Sequence, residues 1–279
     1  MPGNMALGAK SSKQFSELVS IIHGYELTQL GFNLAPVVDI NNNEANPIIS
    51  VCSYSDRLKL VTEMANSYIK GIHRYFVLTA IKHFLGHGNV TADSHFSLPT
   101  INITKGNWCK LELVLFLHTI LKTDAIITAH IVMPALDNHK LNTTDNRLIG
   151  VPATLSKPTL TGILRNSLNY QGLVITDAMD MGAIANNFDS HWAVKQAILV
   201  GNDIILMPIK ITDIEEVTKL EQLYYYIKMA TASDPELSHR IDESAYQVVL
   251  NKLKNKISAE DKSVQQVQQV VAAKIHKEY

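Results

Sequence analysis

The stretch GLVITDAMDM, residues 172–181, decides the fold class of this chain. Its first half is a short apolar run without alternation, and the run ends at a carboxylate, Asp177. Similar runs occur elsewhere, so we predict five strands, at residues 32–40, 77–84, 125–132, 172–177 and 203–207. Runs that are apolar on both faces are typical of parallel strands that helices cover on both sides.

Amphipathic stretches separate these strands and predict helices at residues 15–30, 58–73, 107–121, 157–168 and 192–200. In the fourth, Ser156 is a good N-cap, and Pro158 falls in the first turn, where its missing N–H costs little. Beyond Pro208 only helical patterns follow, and the last places apolar residues on one face, namely Val264, Val267, Val271 and Ile275. Repeated strand–helix connectivity indicates an α/β protein with right-handed crossovers.

Two architectures fit this connectivity: an open doubly wound sheet and a TIM (β/α)8 barrel. No G-x-G-x-x-G follows the first strand, so a dinucleotide site loses its best support. Polar residues gather where strands end, namely Asp39, His83, His87, His130 and Asp177. A barrel brings such ends together on the face where its active sites lie, so we favour the barrel. We treat residues 1–279 as a single domain and residues 209–279 as its helical C-terminal part.

Composition excludes several classes of protein. The chain has 279 residues and balances 25 Lys+Arg against 26 Asp+Glu, so it lacks the basic excess of a nucleic-acid binder. Two cysteines, Cys52 and Cys109, cannot build a disulfide framework, and neither lies in a C-x-x-C pair that would suggest structural zinc. No apolar run is long enough to cross a membrane, and no secretory signal opens the sequence, so as written it predicts a cytoplasmic protein without cofactor.

The densest chemistry lies in residues 82–95, KHFLGHGNVTADSH. Two glycines in this segment permit a sharp loop or a close backbone approach. The carboxylate of Asp93 can orient the imidazole of His95, and an ordinary histidine pKa of about 6.5 suits proton transfer near neutrality. A lone D-x-H pattern more often marks a loop aspartate beside a solvated histidine, and that interpretation stays open at this point.

Asp177 also has two interpretations. A carboxylate at the end of a buried strand needs a task or a partner, so it is either a nucleophile or a cap for the next helix. His83 and His87, with Asp177 or His130, could alternatively bind a metal, although the glycines argue against the helix that H-x3-H spacing suits. His130 either lines the pocket or is buried with its hydrogen bonds satisfied, and we favour the pocket. Asp39 we interpret as structural.

The chain resembles the N-terminal catalytic domain of glycoside hydrolase family 3, in particular its bacterial β-N-acetylhexosaminidase branch. The matching motifs are co-linear and run nearly end to end: FNLAPVVD (32–39), KHF (82–84), GHG (86–88), DSH (93–95), TAH (128–130), PATLS (152–156), TDAMDM (176–181) and RIDES (240–244). Several motifs in the right order make chance agreement improbable.

The resemblance implies a barrel and a two-step retaining hydrolysis of terminal β-linked N-acetylhexosamine, for example N-acetylglucosamine in cell-wall fragments. Asp177 matches the family's nucleophile, and His95 the branch's unusual general acid/base, with Asp93 as its partner. Lys82 and His83 match residues that hydrogen-bond sugar hydroxyls. The implied partner is therefore a carbohydrate, without metal or cofactor.

The sequence also departs from these relatives. Cys52 stands where they carry an arginine that clamps substrate, and Leu85 and Leu115 stand where prolines are usual. The chain begins about three βα units late, and five strands cannot close a barrel of eight. An upstream segment, whose own leader would decide the compartment, or self-association through open sheet edges would then complete the fold. The alternative is a truncated, inactive remnant that acts at most as an association module.

Overall fold

A parallel sheet organises the protein. The computed structural model describes residues 2–39, 49, 52–88, 90 and 93–257. Its strands are β1 (Leu34–Asp39), β2 (Leu78–Phe84), β3 (Ala125–Thr128), β4 (Lys140–Asn142), β5 (Leu148–Gly150) and β6 (Leu173–Ile175). Strands β1, β2, β3 and β6 form the main sheet in that order and are all parallel, whereas β4 and β5 form an antiparallel hairpin. The predicted α/β class is confirmed, and a closed barrel stays a prediction.

Four of the five predicted strands are confirmed, although β3 ends at Thr128 and β6 covers only three residues. The prediction of a strand at residues 203–207 is wrong, because only Ile204 pairs, in a single parallel bridge with Ile175. The backbone beyond Ile204 is held by the turn after β6 instead: Leu206 N–H donates to the Thr176 hydroxyl at 2.8 Å, and its carbonyl accepts from Met179 N–H at 3.0 Å. The β4–β5 hairpin was not predicted, because its strands are short and largely exposed.

The helices confirm the predicted strand–helix alternation. They are α1 (Asn4–Lys10), α2 (Lys13–Gln29), α3 (Leu58–Ile72), α4 (Lys105–Trp108), α5 (Val114–Thr119), α6 (Gly182–Ala185), α7 (Ser190–Leu199), α8 (Ile214–Thr231) and α9 (Pro235–Lys254). A π-helical turn, Cys109–Leu113, joins α4 to α5, and a π-helix, Pro158–Ser167, precedes β6. The helix predicted around Val264 to Ile275 lies outside the described residues. Within the part of the chain that is described, no helix is both long and apolar enough to span a membrane.

Both faces of the main sheet are covered, as the non-alternating strands predict. Ile126 and Val174 point into a large core shared with α3 and α5, whereas their neighbours Ile127 and Ile175 point into a smaller cluster. Val248 of α9 packs against that smaller cluster. This alternation is the period of two that every strand has, and burial on both sides explains why the sequence shows no polar face.

A buried carboxylate joins α9 to the start of β6. Asp203 is 1 % exposed at its side chain; its Oδ2 accepts from Arg165 Nη2 at 2.6 Å and from Val174 N–H at 2.9 Å. Its Oδ1 accepts from Arg240 Nη2 at 3.3 Å and from the Ser244 hydroxyl at 3.2 Å. Arg240 and Ser244 belong to the RIDES motif, so this motif has a structural task at the N-terminal end of the sheet.

We expect Asp203→Asn to lower the free energy of unfolding by about 3 kcal/mol, because the half-buried guanidinium of Arg165 loses its charge partner and that of Arg240 keeps only Glu243. Urea unfolding followed by circular dichroism measures this. The matched control is Glu236→Gln, whose ion pair with Lys157 is about 60 % exposed on both sides and contributes at most about 1 kcal/mol. Equal effects of the two substitutions would contradict the structural role assigned to Asp203.

Candidate active site

The carboxyl ends of β2, β3 and β6 bring the predicted site residues together. Lys82 and His83 lie at the end of β2, His130 follows β3, and Asp177 follows β6. His83 Nε2 lies 3.5 Å from Asp177 Oδ2, and both side chains are largely shielded from solvent. Lys82 is half-buried and stands in register with Asp39 of β1. Because parallel strands end at one edge, residues distant in sequence converge here.

Three buried histidines surround the Asp177 carboxylate. Burial lowers the pKa of His83 well below its usual value, and the positive charge of Lys82 lowers it further. Burial also lowers the pKa of His87, whose ring lies 5.3 Å from that of His83, and the pKa of His130. These imidazoles are therefore neutral near pH 7, and a neutral ring beside a carboxylate acts as a hydrogen-bond donor rather than as a counter-ion.

His130 is buried and supports the turn that carries Asp177. Its Nε2 lies 2.9 Å from the Ala178 carbonyl oxygen and therefore donates to it, while Nδ1 lies 2.9 Å from the Thr154 hydroxyl. The ring is 1 % exposed. Of the two interpretations made from the sequence, this geometry is that of a satisfied, buried histidine, and contact with substrate stays a prediction.

The loop that follows β2 rests on the helices beneath it. Trp108 Nε1 donates to the Leu85 carbonyl at 2.7 Å, so the backbone at Leu85 is anchored. Gly86 has a φ of +113°, and a Cβ at this position would lie 2.5 Å from Glu112 Oε2. Both the positive φ and the close approach of Glu112 favour a glycine at this position.

Asp93 and His95 form the pair that their spacing predicts. Asp93 Oδ1 accepts from the His95 backbone N–H at 2.9 Å and from its ring Nδ1 at 2.7 Å. The backbone N–H donor is the first reason why the pKa of Asp93 lies below its usual value, and the ring adds to it. With Nδ1 engaged, Nε2 is the ring nitrogen left for proton transfer, and the side chain of His95 is 65 % exposed.

Asp177 does not cap the next helix. Its Oδ1 accepts from the Ala178 N–H at 2.9 Å, and α6 begins later, at Gly182, with Met181 as its N-cap residue. The carbonyl of His95 accepts from the Gly182 N–H at 3.0 Å. The loop bearing His95 therefore lies on the segment that follows Asp177. That the two side chains share one site stays a prediction.

The alternative metal site finds no support in the described part of the chain, where no group of three or more His, Cys, Asp or Glu side chains is arranged to hold an ion. Cys52 is exposed, and its carbonyl accepts from the Asn4 amide. Residues 46–48, 50 and 51, which precede Cys52, lie outside the described residues, as does the side chain of Asp39. The sequence analysis considered His87 only as a strand-end residue and a possible metal ligand. It missed Gly182, because nothing in the local pattern singles out this glycine.

A comparison with known families decides the relationship of this chain. The family model described as "Glycosyl hydrolase family 3 N terminal domain" matches residues 1–250. The chain belongs to this family. Membership agrees with the resemblance that the sequence motifs suggested. The residues at the strand ends, Lys82, His83, His130 and Asp177, therefore belong to a glycoside hydrolase family 3 domain.

Curated relatives point to one branch of family 3. The chain is 36 % identical over 262 residues to "Beta-hexosaminidase A" of Pseudoalteromonas piscicida, covering 91 % of this chain and 44 % of that protein. It is 29 % identical over 178 residues to a "Beta-hexosaminidase" of Idiomarina loihiensis, covering 64 % of this chain and 50 % of that protein. This family 3 domain thus spans about half the length of these two relatives.

Solved structures of the family share the fold. A glycoside hydrolase family 3 β-N-acetylglucosaminidase from Paenibacillus sp. has a TM-score of 0.77 at 32 % identity, over 96 % of this chain and 51 % of that one. A fungal multi-domain family 3 β-N-acetylglucosaminidase has a TM-score of 0.82 at 29 % identity, over 100 % of this chain and 32 % of that one. The similarity therefore extends over nearly the whole of this chain.

The buried histidines predict how stability depends on pH. Histidines 83, 87 and 130 have lowered pKa values when folded, whereas the unfolded chain takes up protons on them near pH 6.5. Below about pH 6.5 the unfolded state therefore binds more protons, and the free energy of unfolding falls as the pH is lowered, by about 1.4 kcal/mol per pH unit for each histidine.

Urea unfolding between pH 7 and pH 5 measures this slope. His130→Gln removes one of these groups and is expected to make the slope shallower by up to about 1.4 kcal/mol per pH unit. His118→Gln is the matched control, because His118 is exposed. An unchanged slope in His130→Gln would contradict the neutral, buried state of this histidine.

Proposed function

We propose that this family 3 domain is the catalytic part of a retaining glycoside hydrolase that removes terminal β-linked N-acetylhexosamine, with Asp177 as nucleophile and His95 as general acid/base. One observation carries this proposal: the Asp93–His95 pair lies on a loop that is hydrogen-bonded to the segment directly after Asp177. Two relatives are named as β-hexosaminidases, which supports N-acetylhexosamine as the substrate class. We propose further that the parallel sheet is part of a (β/α)8 barrel, as the strand-end site favours.

The two reactive groups divide the chemistry between them. In the first step the Asp177 carboxylate attacks the anomeric carbon, while the imidazolium of His95 gives the proton on Nε2 to the leaving oxygen. In the second step neutral His95 takes a proton from water, the water oxygen bonds to the anomeric carbon, and the carboxylate of Asp177 leaves. Asp93 holds the ring at Nδ1 throughout, so that Nε2 faces the reaction.

A histidine suits this position for an electrostatic reason. In the free enzyme Asp177 is ionised, and a second carboxylate beside it would be repelled. Between the two steps Asp177 is esterified, so this repulsion is absent there. A neutral or positive imidazole avoids that repulsion in the free enzyme. The ionised state of Asp93, whose pKa is lowered by the His95 backbone N–H, leaves the negative charge on the far side of the ring.

Lys82 and His83 supply donors for the sugar. The ammonium of Lys82 carries three N–H donors for hydroxyl oxygens beside the anomeric centre, whereas neutral His83 has a single N–H, which it shares between Asp177 and the sugar. His130, also predicted as a substrate residue, acts in this proposal through Ala178, whose carbonyl it holds. We propose N-acetylglucosamine-containing glycans such as cell-wall fragments as the partner. The comparisons do not favour the inactive remnant.

Asp177→Asn is expected to lower kcat for a chromogenic N-acetyl-β-glucosaminide by at least about a thousandfold, because an amide is a poor nucleophile. Release of the chromophore by the full chain measures this. Asp145→Asn is the matched control, since Asp145 lies in the exposed β4–β5 turn. A wild-type chain that releases no chromophore, or an Asp177→Asn variant as active as wild type, would contradict the proposed function.

His95→Ala is expected to affect substrates according to their leaving groups. A methyl glycoside needs acid assistance and should lose about a hundred- to ten-thousandfold in kcat/KM, whereas a dinitrophenyl glycoside leaves unaided and should lose little in the first step. Azide attacks the glycosyl-enzyme without a base, so it should restore turnover of the dinitrophenyl glycoside and yield the β-glycosyl azide. Equal losses on both substrates, without azide rescue, would contradict His95 as the acid/base.

A further inference from the structure

The loop bearing His95 is fixed to the start of α6 by hydrogen bonds from both backbone and side chain. Gly182 N–H donates to the His95 carbonyl at 3.0 Å, and Ala183 N–H donates to the Ser94 carbonyl at 3.1 Å. Asn186 Nδ2 lies 3.5 Å from the Phe96 carbonyl oxygen. Three consecutive carbonyls of the loop are thus held by one turn of helix, whose own first N–H groups have no partner within the helix.

Gly182 permits this contact because it has no side chain. A Cβ at this position would lie 2.7 Å from the His95 carbonyl oxygen, 2.8 Å from Asn186 Nδ2 and 3.0 Å from the Phe96 carbonyl oxygen. Its backbone is not in the left-handed region, so an alanine can adopt the same conformation, and alanine is the better helix former. The need for glycine therefore comes from the loop packed on it and not from the helix itself.

We propose that Gly182 is a positioning residue, which sets the place of His95 relative to Asp177 by letting the loop at residues 93–97 close onto α6. This inference rests on the proposed function, which gives Asp177 and His95 their roles. Only four residues separate Asp177 from Gly182, and these are held in turn: His130 holds the Ala178 carbonyl, and Met179 N–H donates to the Leu206 carbonyl at 3.0 Å. The distance between the nucleophile and the acid/base thus depends on residues 178–181, which these hydrogen bonds hold in place.

Gly182→Ala tests this on the full chain. The added methyl group pushes the loop away from α6, and we expect about a tenfold or greater loss of kcat/KM on a methyl or sugar leaving group. With a dinitrophenyl leaving group and azide present, turnover should stay within about threefold of wild type, because neither step then needs His95. The variant should also yield the glycosyl azide, as His95→Ala does and wild type does not.

Gly162→Ala is the matched control. It lies in the π-helix before β6, where the nearest atom to an added Cβ is the Lys157 carbonyl oxygen at 3.9 Å. We expect wild-type activity on all leaving groups and no azide product. A Gly182→Ala variant that matches this control, or that loses activity equally on all leaving groups without azide rescue, overturns the positioning role.

Amide hydrogen exchange tests the contact independently of catalysis. The N–H groups of residues 182 and 183 should be protected in wild type and should exchange at least about tenfold faster in Gly182→Ala, while amides of β2 and β3 keep their protection. That last measurement also shows that the variant is folded. Fast exchange of both amides in wild type overturns the inference, whereas a protected wild type that hydrolyses no glycoside contradicts the proposed function alone.

Discussion

The buried carboxylate of Asp203 is the interaction on which the rest of the described structure depends. It accepts hydrogen bonds from the π-helix through Arg165, from α9 through Arg240, and from the backbone of β6 at Val174. An ionised group with almost no exposure to solvent is tolerable only because two guanidinium groups surround it. The start of β6 is thereby fixed, and this three-residue strand ends at Ile175, two residues before Asp177.

Hydrogen bonds from two other parts of the chain hold the few residues after Asp177. His130 holds the carbonyl of Ala178 from below, and the loop with His95 rests on Gly182 from above. His83 approaches the carboxylate from β2 as a neutral ring, because burial lowers its pKa. A neutral donor beside the carboxylate leaves its negative charge in place, which is what the proposed attack of Asp177 on an anomeric carbon requires.

Local patterns in the sequence predicted most of the fold. They failed at residues 203–207, where hydrogen bonds to a turn replace the pairing of one strand with the next. The apolar runs of β2 and β3 are long enough to be recognised, and they are buried on both faces as expected. The run at residues 203–207 has the same composition, yet only Ile204 pairs, since Leu206 is bound by the Thr176–Met179 turn. Composition cannot distinguish these cases, because strand pairing depends on what lies beside the run.

The sequence by itself determined the chemical groups and their local pairing: the two-residue spacing of Asp93 and His95 sets their hydrogen bond, and a carboxylate at a strand end sets the place of Asp177. Only the tertiary structure decided that His130 is buried beneath Ala178, that His83 faces Asp177, and that Gly182 carries the loop of His95. Each of these contacts joins residues tens of positions apart, and the physical reason lies in the parallel sheet, which brings the ends of separate strands to one edge regardless of the chain between them.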